Sequence, residues 1–495
     1  MVLLIALLVF ATSVNAEPSD DARPNVLFLA IDDLRPQLGC YGDTRIKTPN
    51  IDSLAADGLL FERAYCQQAV CSPSRTSMLT GLRPDSTKVW DLFTHFRDTV
   101  PDVVTLPQHF LRNGYHTESN GKIFHKTHMQ DDEHSWSVPS KRGRGEKWVT
   151  AKSKEIRQQL LAAADDKKLT GKDRYYATLG PPVEAANVQD NAYFDGHAAE
   201  LAIQSLRNLS QQEQPFFLAV GFVRPHLPFC APQKYWDMYE AQEITLAGNP
   251  FLPTDCPKYA PSNWGELRHY HGMPLKGPLD NNQSRELIHG YFACISYTDA
   301  LIGSVLEELD RQGIRDNTLI VLWGDHGWKL GEHGLWCKHT NFELDARVPM
   351  ILCTPDMKAT GQKTNALVEL VDVYPTLCEL AGLPLPDHLQ GTSMTPLLDN
   401  PKQSWKKAAF SQFPRGKTMG YSMKTKHYRY TQWVDQKSGK TLARELYDHR
   451  SDPEENTNIA NIAKNESLIK KLAAQCNAGW QAAKQSIAQT PPSFE

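Results

Sequence analysis

One short segment groups residues that could bind and attack an anion. It reads Cys71-Ser72-Pro73-Ser74-Arg75. Ser72 and Pro73 are typical of a helix start, where free backbone amides and the helix dipole favour negative charge. Arg75 lies one helical turn after Cys71, and therefore on the same face. The spacing predicts a thiol at a helix N-terminus beside a cation, which suits either a nucleophile or a small buried residue.

Two adjacent carboxylates form a second candidate site. Asp32 and Asp33 directly follow the apolar segment Asn25–Ile31. Like charges this close are tolerable where a cation lies between them, and oxygen ligands suit Ca²⁺ or Mg²⁺. The same pair is also common as a helix cap or a turn. A metal site is therefore one of two interpretations of these residues alone.

Continuous apolar segments predict the strands that would position these side chains. Such segments are typical of strands buried on both faces. They cover residues 25–31, 216–222, 318–323 and 350–353. Helical patterns alternate with them at residues 51–61, 105–113 and 286–309. This alternation predicts an α/β fold with a large, mostly parallel sheet between helices, and functional groups at the carboxyl ends of its strands.

The remaining segments predict elaborations and a second unit. Residues 126–190 and 242–280 are polar and loop-rich, so they either shape a substrate pocket or form plain surface insertions. Residues 413–417 (FPRGK) are interpreted as a linker, followed by short strands and a terminal helix at 468–483. We therefore expect a catalytic domain over residues 17–413 and a small C-terminal α+β domain over residues 414–495.

The bulk properties limit where the protein acts and what it binds. Residues 1–16 are almost wholly apolar and end in small residues, which predicts a secretory signal peptide, with a buried N-terminal strand as the alternative. No other segment is long and apolar enough for a membrane span, so we expect an exported protein without stable membrane association. The formal net charge of −4 gives no global basic field for nucleic acid. The ten cysteines include no pair with CxxC spacing, which argues against a zinc ribbon or a redox motif.

A longer pattern around Cys71 resembles the signature of the type I sulfatases. The pattern is Cys71-x-Pro73-Ser74-Arg75-x-x-x-Leu79-Thr80-Gly81. The resemblance implies that a formylglycine-generating maturation enzyme oxidises Cys71 to formylglycine, an aldehyde. One hydroxyl of the hydrated aldehyde would attack sulfur, and the other would later lose its proton to expel sulfate.

The same resemblance assigns roles to other side chains. Lys122 would hold a sulfate oxygen, and His125 would take the proton of the hydrate in the elimination step. His226 would contact the sulfate and the ester oxygen, while Lys338 would lie over the sulfate and the leaving oxygen. The implied catalytic set is Cys71, Arg75, Lys122, His125, His226 and Lys338.

The resemblance also implies one divalent cation, with Ca²⁺ as the expected ion. Its implied ligands are Asp32, Asp33, modified Cys71, Asp325 and His326. Many members of the family have Asn where His326 stands. Histidine is a borderline ligand for the hard calcium ion, so the identity of the metal is less sharply implied than its position.

Segments outside the chemistry resemble the iduronate-2-sulfatase subfamily, among them residues 38–42, 67–70 and 419–422. The resemblance implies an alkaline-phosphatase/sulfatase-like fold and an exo-acting enzyme for a sulfated sugar with a carboxylate. Such an enzyme would be periplasmic, secreted or lysosomal, depending on the host. His339 departs from the tyrosine expected in that subfamily. It completes the implied substrate-binding set Lys122, His226, Lys338 and His339.

Three other functions are compatible with the residues. A sulfatase of an algal polysaccharide could use the same scaffold with another sugar pocket. A phosphoesterase also binds a tetrahedral anion with cationic side chains. A non-catalytic sulfate-binding protein would share the cations, but binding alone would not require His125.

Overall fold

The computed structural model describes residues 23–125, 131–355 and 357–484. The predicted signal peptide, residues 1–16, lies outside the described residues. None of the helices in the described ranges is long and apolar enough to cross a membrane.

A seven-stranded sheet forms the centre of the large domain. Its strands are β1 (Asn25–Ile31), β2 (Leu59–Phe61), β3 (His116–Gly121), β4 (Phe216–Phe222), β5 (Thr318–Gly324), β6 (Met350–Cys353) and β7 (Gln362–Thr364). The spatial order is β7-β2-β6-β5-β1-β4-β3. Strands β3, β4, β1 and β5 are parallel, whereas β6 runs antiparallel to both of its neighbours. The predicted α/β fold is confirmed, with one antiparallel strand inside the sheet.

Helices cover both faces of this sheet. The longer ones are α1 (Pro49–Asp57), α2 (Cys71–Thr80), α3 (Leu106–Arg112), α4 (Ala151–Asp166), α5 (Gly171–Ala177), α6 (Phe194–Leu209), α7 (Asn281–Arg311), α8 (Val373–Leu380) and α9 (Glu466–Ala483). Leu27 and Leu29 of β1 pack in one apolar core with α6 and α7. Val26 and Phe28 face the other core, with α2, α3 and α8. Because successive side chains point to opposite faces and both faces are covered, β1 is apolar throughout.

Shorter strands, helices and 3₁₀ turns lie between these longer elements. The short strands are Ala64–Tyr65, Val183–Ala186, Phe229–Pro232, Lys329–Leu330, Trp336–Cys337, Arg347–Val348 and Val368–Glu369. The short α-helices are Pro84–Thr87, Phe96–Thr99, Gln233–Trp236, Gly265–Arg268, Glu343–Ala346 and Thr395–Asp399. Single 3₁₀ turns lie at Gly39–Tyr41, Glu133–Ser135, Asp190–Ala192, Ala241–Glu243, Arg315–Asn317, Glu332–Gly334, Leu370–Asp372 and Ala463–Asn465.

A four-stranded antiparallel meander and α9 form the smaller C-terminal unit. Its strands are β8 (Ala408–Arg415), β9 (Thr418–Thr425), β10 (Tyr428–Asp435) and β11 (Thr441–Asp448). The interpretation of residues 413–417 as a linker is wrong, because Phe413 pairs with Gly420 inside the β8–β9 hairpin. Pro414 is compatible with a strand here because β8 is an edge strand. The predicted division between residues 413 and 414 stays a prediction, and it falls within β8.

Two other local predictions need correction. Residues 151–177, expected to be loop-rich, contain α4 and α5. In α4 only Ser153 and Ala164 are buried, so the sequence carries no apolar stripe to reveal the helix. The helix predicted over residues 51–61 ends at Asp57. The last three residues of the predicted range, 59–61, form strand β2 instead.

Candidate active site

The site lies at the carboxyl ends of the parallel strands, as expected for such a sheet. Asp32 and Asp33 follow β1, and Asp325 follows β5. Lys122 follows β3. Asp33 adopts a φ of 62°, a left-handed conformation that aspartate tolerates better than most residues. Its backbone N–H donates to Asp325 Oδ1 at 3.1 Å, which joins the two strand ends.

Cys71 lies at the N-terminus of α2, as predicted, but the helix already begins at Cys71, so Ser72 is not its cap and Ser72 and Pro73 lie within its first turn. Every residue of this ten-residue helix is buried. Cys71 Sγ lies 3.3 Å from His326 Nε2. Burial and the nearby Asp32 raise the pKa of the thiol well above its usual value. An unmodified Cys71 is therefore a neutral thiol and a poor nucleophile at neutral pH, although it lies among the charged groups.

Four side chains form a compact candidate metal centre. The ligand atoms of Asp32, Asp33, Cys71 and His326 lie within 4.8 Å of one another, and all four residues are buried. His326 Nε2 is 3.2 Å from Asp33 Oδ1 and 3.6 Å from Asp325 Oδ1. His326 Nδ1 lies 3.0 Å from the carbonyl oxygen of Gly327. Donation to that carbonyl places the proton on Nδ1 and leaves Nε2 free to ligate a metal.

The electrostatics of this centre fit a bound cation. Burial raises the pKa of Asp33 well above its usual range, and the negative charge of Asp32 adds to that shift despite Lys338. Asp32 is also buried, but the charges of Lys122 and Arg75 outweigh burial and lower its pKa well below the usual range. Asp32 Oδ1 has no hydrogen-bond partner among the described residues. A divalent cation among these oxygens would both satisfy that atom and keep Asp33 ionised.

Arg75 holds the acidic residues in place. It is fully buried, and its Nε donates to Asp325 Oδ2 at 2.8 Å. A second guanidinium nitrogen lies 3.6 Å from Asp32 Oδ1. A third donates to the carbonyl oxygens of Lys122 and Ile123 at 2.6 and 2.9 Å. The guanidinium therefore links the ends of β1, β3 and β5.

Two lysines contact the centre, each through a different aspartate. The ammonium of Lys122 donates to Asp32. Lys338 Nζ lies 2.9 and 3.0 Å from the two carboxylate oxygens of Asp33. Although burial lowers the pKa of a lysine, the adjacent carboxylates raise the pKa of both ammonium groups above the usual value. Both lysines are therefore charged and can attract an anion to the space above the cluster.

The two predicted catalytic histidines lie beside these lysines. His125 is close to Lys122, and neither ring nitrogen has a hydrogen-bond partner among the described residues. Burial and Lys122 lower the pKa of His125 well below 6.5. The Nδ1 of His226 is 2.6 Å from the carbonyl oxygen of Leu227. Burial and Lys338 lower the pKa of His226 to about 3. Both imidazoles are neutral at neutral pH, so His125 can accept a proton.

Glu266 is a site residue that the sequence did not reveal. Its carboxylate lies 3.1 Å from His226 Nε2 and 3.2 Å from Lys338 Nζ. Burial raises its pKa, but the charge of Lys338 outweighs burial and lowers the value to about 2. The residue belongs to the short helix Gly265–Arg268 within the segment interpreted as an elaboration. No motif marks it, because its role depends on where that segment folds back.

His339 lies beside the site in a strained backbone conformation. Its φ is 83°, and Arg415 donates to its carbonyl oxygen. The imidazole packs 5.7 Å from the ring of Phe413. Burial and Lys338 lower the pKa of His339 to about 3. The side chain is therefore neutral at neutral pH and supplies no positive charge to a substrate. Its contact with the sugar stays a prediction.

Comparison with known proteins agrees with this geometry. The Sulfatase family model matches residues 24–383, and the model for the C-terminal region of N-sulphoglucosamine sulphohydrolase matches residues 331–481. The chain belongs to the sulfatase family. It is a sulfuric ester hydrolase, and the resemblance inferred from its motifs is confirmed.

Two relatives carry the name iduronate 2-sulfatase. The protein from Mus musculus is 36% identical, with coverage of 90% of this chain and 93% of the relative. The protein from Homo sapiens is 34% identical, covering 95% and 97% of the two chains. A sulfatase from Formosa agariphila is 32% identical over 93% of this chain and 88% of its own.

Solved structures support the fold. Phosphonate monoester hydrolase of Agrobacterium radiobacter superposes with a TM-score of 0.69 at 24% identity, over 92% of this chain and 95% of its own. A structure in complex with D-glucosamine-2-N,6-O-disulfate gives a TM-score of 0.68 at 21% identity, over 92% of this chain and 99% of its own. At these identities the likeness establishes the shared architecture alone.

Proposed function

We propose that this sulfatase removes sulfate from a terminal sulfated sugar, with iduronate 2-sulfate as the leading substrate, through formylglycine at position 71 and one bound Ca²⁺. The observation that carries the proposal is the position of Cys71. It lies at the start of a buried helix, 3.3 Å from His326 and between the charged side chains of Lys122 and Lys338. The two iduronate 2-sulfatases align with more than nine-tenths of their own length, which supports the choice of sugar.

The donor set fits the group that the family implies. Asp32, Asp33, Asp325 and His326 would hold the cation beside residue 71. Formylglycine would supply a hydrated aldehyde as the nucleophile, and the cation would lower the pKa of its hydroxyl. Carboxylate oxygens with one imidazole suit a hard divalent ion and favour Ca²⁺ over soft metals.

The other side chains bind the anion and move protons. Lys122 and Lys338 place positive charge on two sides of residue 71, where a sulfate group would sit. Donors of this kind typically contribute a factor of roughly 10²–10³ each. His125 is neutral and has no described hydrogen-bond partner, so it can accept the proton released during elimination of sulfate. His226 is oriented by the carbonyl oxygen of Leu227 and faces Glu266 beside Lys338, on the side of the leaving group.

Export and maturation complete the proposal. Residues 1–16 would direct the chain out of the cytoplasm, to the periplasm, the medium or a lysosome according to the host. A formylglycine-generating enzyme would convert Cys71 before folding buries it, because the folded chain leaves this residue only 1% exposed.

The test has a chemical and a functional arm. Mass spectrometry of the peptide that contains residue 71 should show an aldehyde in place of the thiol. Desulfation of defined oligosaccharides should then show release from a terminal 2-sulfated uronate. An intact thiol in fully active protein would reject the mechanism.

The control substrates are paired aryl sulfate and aryl phosphate esters. Faster release of phosphate would instead favour a phosphoesterase. Preference for a sulfated algal oligosaccharide over the uronate would retain the chemistry but replace the proposed sugar.

A further inference from the structure

Lys147 is a solvent-exposed cation without an anionic partner among the described residues. Its ammonium lies over two aromatic rings, 5.1 Å from the centroid of Trp148 and 5.9 Å from that of Tyr270. Cation–π contacts of this kind restrict where the ammonium can go. The nearby Lys154 differs in this respect, because its ammonium pairs with the carboxylate of Glu146 at 2.7 Å. Lys147 therefore keeps a positioned and unneutralised charge.

The contact with Tyr270 puts this charge beside the helix that carries Glu266, because the Tyr270 N–H donates to the carbonyl oxygen of Leu267 in that helix at 3.1 Å. Lys147 interacts electrostatically with Arg224 and Glu266. Arg224 donates to the carbonyl oxygen of His226 at 3.0 Å, and Glu266 contacts both His226 and Lys338. Although the side chain reaches solvent, desolvation by the surrounding protein and the charge of Arg224 lower the pKa of Lys147 to about 8, so an anion beside it would restore the stability of its charged form.

The same side of the site carries an exposed aromatic ring. Tyr175 on α5 is 57% exposed, and its hydroxyl interacts electrostatically with Glu266, Lys338 and Lys122. The ring of its neighbour Tyr176 stacks on His269 at 4.0 Å, which holds α5 against the helix that carries Glu266. An exposed ring next to a hydrogen-bond acceptor and a cation matches the apolar face, hydroxyls and acidic group of a uronate.

We propose that Lys147 binds the carboxylate of the sugar whose sulfate is removed, and so sets the preference for a uronate. This inference rests on the proposed function, because it names the group that selects the sugar. The negative charge of Glu266 does not block such an anion, because its two oxygens already face His226 and Lys338. Glu266 then remains an acceptor for a sugar hydroxyl, while Lys147 supplies the charge that His339 lacks.

The experiment pairs a change in the protein with a change in the substrate. One substrate is a disaccharide with a terminal 2-sulfated uronate, and the other is the same sugar with its carboxylate reduced to an alcohol. In the wild type, the reduction should lower kcat/KM about tenfold to a hundredfold. In Lys147→Gln, kcat/KM on the acid should fall by a similar factor, and the difference between the two sugars should shrink below about threefold. Lys147→Arg should retain most of the preference.

Lys154→Gln is the matched control, since it removes a nearby lysine whose charge is already paired. It should leave the preference for the acid unchanged. If Lys147→Gln lowers kcat/KM equally on both sugars, or on neither, while sulfatase activity persists, the assignment of Lys147 is overturned. Equal rates of the wild type on both sugars would overturn it as well. If the wild type releases sulfate from an aryl sulfate but from neither sugar, the uronate substrate is rejected. This inference is then rejected with it.

Discussion

Two buried clusters of acidic and basic side chains differ in how completely their polar atoms are paired. In the active site, Asp32 Oδ1, one Arg75 nitrogen and both His125 nitrogens have no hydrogen-bond partner among the described residues. The other cluster joins the large domain to the C-terminal unit through Arg429, which donates to Glu455 at 2.7 Å and also to Glu343.

The second cluster also brings acidic groups and a histidine within metal-binding distance, but its atoms are paired. Tyr65 donates to Glu343 at 2.9 Å, and His449 Nε2 lies 2.9 Å from Glu455. Lys424 lies 2.9 Å from the remaining nitrogen of His449. The completely paired charges of the second cluster fit a structural role, whereas the unpaired atoms of the active site leave donors and acceptors available to a ligand. The spacing of possible ligand atoms is similar in both clusters, so it does not by itself distinguish a metal site from a structural cluster.

The largest expected effect comes from breaking the active-site cluster. Cys71→Ala should lower kcat by roughly 10⁴-fold or more because it removes the proposed nucleophile. Asp32→Asn should lose both activity and bound metal, because it removes one carboxylate charge from the centre. Elemental analysis and sulfate release measure these effects, and circular dichroism checks that the variants fold. Full activity after exhaustive chelation, with no metal in the protein, would contradict the calcium assignment.

Breaking the second cluster should affect stability and not metal content. Arg429→Met leaves two buried carboxylates without their main partner, which should cost about 3–5 kcal/mol of unfolding free energy. Urea unfolding measures the loss. The bound metal per folded molecule should be unchanged. Loss of metal together with stability would show that the two clusters are coupled.

The second cluster should also make stability depend on pH. Burial raises the pKa of Glu455, but Arg429 and His449 outweigh burial and lower it to about 2. Because the folded value lies below the unfolded value of about 4.3, this residue stabilises the fold above that pH, and its contribution is lost as pH falls toward about 2. In Glu455→Gln, the unfolding free energy should be lower than in the wild type near neutral pH and should converge with it in acid. Parallel curves would contradict this account.

An exposed ion pair gives the smallest expected effect. Lys358 lies 3.0 Å from Asp399, and both side chains are more than half exposed. Lys358→Gln should change the unfolding free energy by less than about 1 kcal/mol, because water and salt screen the pair. A larger loss in the same urea assay would show that burial is not what separates the strong pairs from the weak ones.

The features that the sequence predicted depend on neighbouring residues. The apolar segments predicted β1, β4 and β6 with their observed bounds. The pattern Ser72-Pro73 predicted a helix start near Cys71, but the helix begins before both residues and Val70 is its cap. Because the strands are parallel, their carboxyl ends had to share one edge, which brings the predicted aspartates together. The C-terminal strand Ala408–Arg415 was missed because Pro414 is typical of a linker unless its strand lies at an edge.

Only the tertiary structure decided which side chains surround the catalytic cluster. Glu266 belongs to a segment without a motif, and it contacts His226 and Lys338 because that segment folds back over the strand ends. Lys147, also without a motif, packs against Tyr270 beside the same segment. The polar helix α4 and the antiparallel direction of β6 were likewise invisible to local patterns. By itself the sequence determined the strands and the chemistry of the cluster, because apolar periodicity and strand-end position are local, and it placed the start of the catalytic helix to within two residues. The pairing of distant charges depends on long-range packing, so it became visible only in the folded chain.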